Sequence, residues 1–159
     1  MTIALKLTHD EPKLVFLALV YHLGRPGSEL DPATKQPLEH GLREVKLALG
    51  NQLLQDAAVI EVDDYQVERL LSAIYGSVNE LRLYHMRSGA ESTVGRFTET
   101  ARDIFPEIAP EPEAALEVAE SMMMLHRRIE RALRPSPERA PDSLPAADTK
   151  RRGLWPFRR

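Results

Sequence analysis

Apolar and polar residues alternate at the start of the chain. Ile3, Leu5 and Leu7 are separated by Ala4 and Lys6, a two-residue period that predicts a half-buried strand. The period becomes helical after a turn at Thr8-His9-Asp10. Thr8 and Glu11 have capping-box spacing, Pro12 falls in a first turn where its missing N–H costs nothing, and Gly24 offers a left-handed stop. Residues 11–23 are therefore expected to be helical. The Gly- and Pro-rich stretch 24–37 is long for a connection inside a compact domain, and long loops often carry function. Its simpler reading is a short helical turn capped by Asp31-Pro32 and kinked at Pro37. That turn would lead into a helix over about 38–56 whose buried stripe is Leu42, Val45, Leu49 and Leu53.

A second strand is expected at Val59-Ile60-Glu61-Val62, followed by Asp63-Asp64 as the cap of a helix. Val67, Leu71, Ile74, Val78, Leu81 and His85 then recur at steps of four and three, so this helix should reach about Arg87 before Ser88-Gly89 breaks it. A shorter helix over 92–105 puts Val94, Phe97, Ala101 and Ile104 on one face. After Pro106, Pro110 and Pro112, a last helix over 113–133 aligns Leu116, Ala119, Met122, His126, Ile129 and Leu133. Its acids Glu113, Glu117 and Glu120 come early and its Arg127, Arg128, Arg131 and Arg134 late, the order a helix dipole favours.

Shifting the chain by 55 residues superimposes Leu5, Leu7, Thr8 and Glu11 on Ile60, Val62, Asp63 and Gln66. Each unit is a short strand, a capping box and an apolar helix. Either the two are an internal duplication whose strands pair about a twofold axis, or any two capped strand-to-helix junctions look alike over so short a span. The expected fold is mainly α with minor β: a five-helix compact domain over residues 1–134, with a short two-stranded antiparallel element. Residues 135–149 hold four prolines without any period and read as a disordered linker, and 150–159 form a separate basic-aromatic tail.

Composition narrows the chemistry. The 159 residues include no cysteine, which excludes disulfides, thiolate metal sites and cysteine nucleophiles. The longest apolar run, Leu14 to Tyr21, is far short of the roughly 20 residues that span a bilayer. The N-terminus lacks the basic start and apolar core of a secretory signal, so the expected location is cytoplasmic, at most peripheral to a membrane. The net charge of −3 conceals a partition: residues 1–130 carry 13 basic and 21 acidic side chains, residues 131–159 carry 8 and 3. The body is at −8 and the C-terminal part at +5. An acidic body is a poor surface for nucleic acid, whose phosphates are held by Lys and Arg.

Catalytic signatures are missing: the sequence has no phosphate-binding glycine loop, HExxH, EF-hand spacing or nucleophile elbow, and no cofactor is implied. His85 and His126 both fall on apolar stripes and, with Glu120, could line an interhelical pocket of a ligand binder or enzyme. Two histidines are one ligand short of a typical catalytic zinc, and hydrogen-bonded core histidines are the simpler reading. Asp63-Asp64 reads as a cap and Met122-Met123-Met124 as core. Arg127, Arg128 and Arg131 share one side of the last helix, either as a solvated face or as a binding surface for anions or an acidic partner. The tail is the most distinctive feature. Lys150, Arg151, Arg152, Arg158 and Arg159 surround Leu154, Trp155 and Phe157, a mixture of charge and rings suited to an anionic membrane surface or a partner protein. The expected function is accordingly a non-catalytic adaptor docking through its tail. Leu47, Leu54, Leu83 and Met124, off the core stripes, make a homo-oligomer an additional expectation.

Overall fold

The computed structural model describes residues 1–134; the linker and tail lie outside the described residues. The order is β1 (Thr2–Thr8), α1 (Glu11–Gly24), α2 (Arg43–Gly50), β2 (Ala57–Asp63), α3 (Asp64–Met86), α4 (Phe97–Ile104) and α5 (Ala114–Leu133), with a single 3₁₀ turn at Pro106–Ile108. The domain is thus mainly α, with five helices and one two-stranded antiparallel sheet.

The sheet bears directly on the 55-residue offset. β1 and β2 pair antiparallel with Leu5 opposite Ile60, flanked by Ile3 opposite Val62 and Leu7 opposite Ala58. Leu5 and Ile60 are equivalent under the offset, so a local twofold axis passes between them and exchanges the two strands. Leu5, Leu7, Ala58, Ile60 and Val62 are buried against the helices, while the alternate side chains face outward.

The two helix starts are equivalent in position but not in completeness. At α3, Asp63 accepts from the Gln66 N–H at 2.8 Å and Gln66 Oε1 accepts from the Asp63 N–H at 3.0 Å, closing the capping box. At α1 only one half forms: Glu11 Oε2 accepts from the Thr8 N–H at 2.9 Å, and Asp10 occupies the cap without a side-chain bond. α1 forms the centre of the domain. Leu14, Val15, Leu17, Ala18, Leu19 and Val20 are all buried, because β1, α2, α3, α4 and α5 all pack against this helix.

Four expectations need correction. The helix expected over 38–56 is only Arg43–Gly50, although Leu42, Val45 and Leu49 are buried as anticipated. Residues 92–96 are not helical: the Ser92 N–H donates to Thr98 Oγ1, Ser92 Oγ donates to Glu80, and Gly95 takes a left-handed φ of 46°. That glycine approaches Gly24 so closely that a side chain would have to sit 3.0 Å from the Gly24 Cα. On α5 the buried stripe is Ala115, Val118, Ala119, Met122, Leu125 and Ile129, which leaves Leu116 exposed and His126 at the boundary. α5 packs mainly on α3, and its buried face includes the small Ala115 and Ala119, so side-chain size alone does not select it. The capped turn expected at Asp31-Pro32 is a hairpin-like loop: the Ala33 and Thr34 N–H groups donate to the Asp31 carboxylate, and Leu30 bridges Pro37.

Candidate functional site

α3 and α5 run antiparallel. Pro112, just before α5, lies beside Gly89 after α3, whereas Val67 at the start of α3 lines a hollow with Ile129 and Leu133 at the end of α5. This direction determines where the candidate histidines go. His85 lies at the end of α3 that adjoins the start of α5, and His126 follows that start by 12 residues, about 18 Å of helical rise. No hydrogen bond joins His85, His126 and Glu120, and Glu120 is exposed. Tyr84 takes the buried place at the end of α3, donating its hydroxyl to the Ile108 carbonyl at 3.0 Å, while His85 Nδ1 is buried without a partner. Among the described residues no cluster of three or more His, Asp or Glu side chains has metal-binding geometry.

The arginines of α5 divide by position. Arg128 reaches across to the N-terminal part of the fold, donating from Nε to Glu11 Oε1 at 2.7 Å, from Nη2 to Glu11 Oε2 at 2.8 Å and from Nη2 to the Lys6 carbonyl at 3.2 Å. Such a two-point guanidinium–carboxylate bond has the geometry that makes Arg selective for carboxylates. Arg128 is thereby a brace of the fold, with its guanidinium already occupied. Arg127 and Arg131 are exposed, and Arg134 pairs with Glu130 at 3.1 Å. Lys150, Arg151, Arg152, Trp155, Phe157, Arg158 and Arg159 lie outside the described residues.

The Arg128 brace divides a cleft between α5 and the first part of the chain. On one side Thr8, His9, Asp10, Leu14, Met124 and Leu125 line a shallow hollow. On the other, Ile3, Ala4, Leu5, Lys6, Ile129 and Leu133 line a second one of about 240 Å³. β1 contributes its free edge here. The Lys6 carbonyl points outward to Arg128, and across the sheet both backbone groups of its partner Val59 point outward to the side chain of Gln52, at 3.1 and 3.2 Å. Lys6 and Val59 are therefore a non-hydrogen-bonded pair, and by alternation Ala4 also directs its N–H and C=O outward. On the β2 edge Gln52 acts as a side-chain plug; on the β1 edge the groups of Ala4 face the cleft.

A second ordered polar centre, which sequence periodicity missed, holds the long loop. His22 is buried in the last turn of α1, and the Glu29 carboxylate accepts from its Nε2 at 2.7 Å. The same carboxylate accepts from the Leu42 N–H, at 3.0 and 3.2 Å, and so caps α2 from 13 residues away. Gly41 makes room for it: a Cβ there would collide with Glu29 Oε2. The Gly41 carbonyl accepts from Gln66 Nε2, the His40 carbonyl from Arg69, and the His40 ring stacks on Tyr65 and bonds Asp63. The loop is thus pinned to both strand–helix units.

Asp63 couples this loop to pH. The Gln66 N–H and then the His40 side chain hold its carboxyl below the ordinary carboxylate range. A carboxyl depressed in the folded state contributes stability above its unfolded value, and the contribution is lost as pH falls through the folded one. Chemical denaturation midpoints should therefore fall as pH drops below about 4. Asp63→Asn, which retains a capping side chain, should show a shallower fall; a slope identical to the parent chain's would refute the assignment.

Compared with known protein families, with curated proteins and with solved structures, the chain matches none.

Proposed function

We propose that the protein is a non-catalytic adaptor whose helical domain is brought to an anionic surface, a lipid bilayer or the acidic face of a partner protein, by the basic-aromatic segment 150–159. The observation that carries this reading is the division of charge, −8 over residues 1–130 and +5 over 131–159, with the sole tryptophan on the basic side. The body supports it in a second way. Several of its most constrained ionisable groups, Glu11, Glu29, Asp63 and Arg128, are engaged in caps and braces that hold the fold together. Leu47, Leu54 and Met124 are exposed and add apolar area for contact with a partner.

Each Lys or Arg near an anionic bilayer contributes about 1 kcal/mol. Arg151→Gln combined with Arg152→Gln should therefore weaken binding to phosphatidylserine-containing vesicles by roughly 30-fold at low salt. Binding should fall steeply as salt rises, since the Debye length shrinks to about 3 Å at 1 M. Cosedimentation of the full chain and the double variant with anionic and with neutral vesicles measures this. Binding that is equal for the two proteins, or equal for the two vesicle types, removes the bilayer from the reading; equal capture of both proteins by an acidic partner would remove the tail from it.

A further inference from the structure

We propose that the cleft between the β1 edge and the end of α5 is the docking site of the chain's own segment Leu154–Phe157. This goes beyond the reading above and does not depend on it. Three observations carry it. First, the half of the cleft lined by Ile3, Ala4, Leu5, Ile129, Ala132 and Leu133, together with the basic side chains Lys6 and Arg128, is a mainly apolar hollow of about 240 Å³ beside a strand edge whose Ala4 N–H and C=O face it. A hollow that combines apolar walls with unpaired backbone groups suits an extended, apolar segment, which can supply side chains and backbone hydrogen bonds together.

Second, chain length and position favour an occupant from the same molecule. Ala132 and Leu133 are at once wall residues of the hollow and the last residues of α5, and 25 residues follow Arg134. A chain of 20 residues, the separation of Leu154 from Arg134, has a root-mean-square span of about 25 Å. The seven residues of β1 extend over about 23 Å, so the segment reaches any point of the edge at millimolar effective concentration. Third, the apolar character agrees: Leu154, Trp155 and Phe157 carry the large apolar side chains that walls such as Ile3, Leu5, Ile129 and Leu133 can cover. Pro156 is compatible with an edge position, where alternate residues direct their nitrogen away from the neighbouring strand.

Trp155 is the only tryptophan, so the full-length chain carries its own reporter. In dilute protein shown by light scattering to be monomeric, Trp155 should be quenched by acrylamide several-fold less efficiently than a free tryptophan amide, with blue-shifted emission. Ala132→Glu places a charge in the hollow at an exposed helical position and should restore quenching to the free value with the helical circular dichroism signal unchanged. Ala90→Glu, exposed between α3 and α4 and absent from the cleft, should leave the protection intact. The proposal is overturned if Trp155 is as accessible as the free amide in the parent chain, or if Ala132→Glu leaves it protected. Protection that appears only as protein concentration rises would place the segment on a second copy and would overturn it equally.

Discussion

Replacing Phe97 by Ala should lower the free energy of unfolding by about 3–5 kcal/mol, a third or more of what a domain of this size commonly has. Phe97 is 1% exposed and opens α4, a helix of only eight residues that has no side-chain cap of its own. Its ring meets Tyr21 of α1 edge-on at 6.0 Å, so the side chain ties α4 to the central helix. Truncation leaves a cavity that the structure is poorly able to close, since Gly95 and Gly24 already hold the backbone just before α4 in close contact. Urea titration followed by circular dichroism measures the loss. A change under about 1 kcal/mol would mean that α4 is anchored elsewhere.

Glu29→Ala should cost about 2–4 kcal/mol, from stranding two partners at once: the Leu42 N–H at the start of α2 and the buried His22 ring. Glu29→Gln should cost much less. The amide oxygen can still accept from Leu42, and the amide nitrogen can donate to His22 once that ring presents Nε2 as an acceptor. The pair of variants separates hydrogen bonding from charge. If Gln is as damaging as Ala, the negative charge at the α2 terminus is the dominant contribution; if neither matters, the loop is held by Gln66 and Arg69 alone. Limited proteolysis between Gly24 and Gly41 gives an independent readout, with faster cleavage expected for the Ala variant.

Where local signals suffice, the sequence is a good guide to this fold. The alternation of Ile3, Leu5 and Leu7 corresponds to β1, the Asp63–Gln66 spacing to a closed capping box, and the 55-residue offset to the pairing of Leu5 with Ile60. What escaped it depends on remote partners. No residue near Leu42 announces a helix start, because the capping carboxylate comes from Glu29. Ser92 stands at the start of the helix expected over 92–105, but its bonds to Thr98 and Glu80 tie down a turn instead. On α5, tracing large apolar residues leads to a stripe through Leu116 and His126, whereas the small Ala115 and the neighbouring Leu125 are the buried ones. For the candidate sites, residue type was visible and direction was not: His85 and His126 share apolar stripes, but the antiparallel course of their helices separates them. Glu11 shows the same limit, since its spacing from Thr8 is local while its two-point bond to Arg128 spans 117 residues.

The pairing of Leu5 with Ile60 also sets a timetable for biosynthesis. A hairpin can close as soon as its second strand leaves the ribosome, but here the partner of β1 emerges 55 residues later, several seconds at about 5–20 residues per second. During that interval β1 has no sheet to join, and α1, whose faces are apolar nearly all round, lacks the helices that cover it. The first strand–helix unit is therefore an orphan until its counterpart is made, and the nascent chain is most exposed to aggregation and chaperone capture while β1 and α1 have emerged and β2 has not.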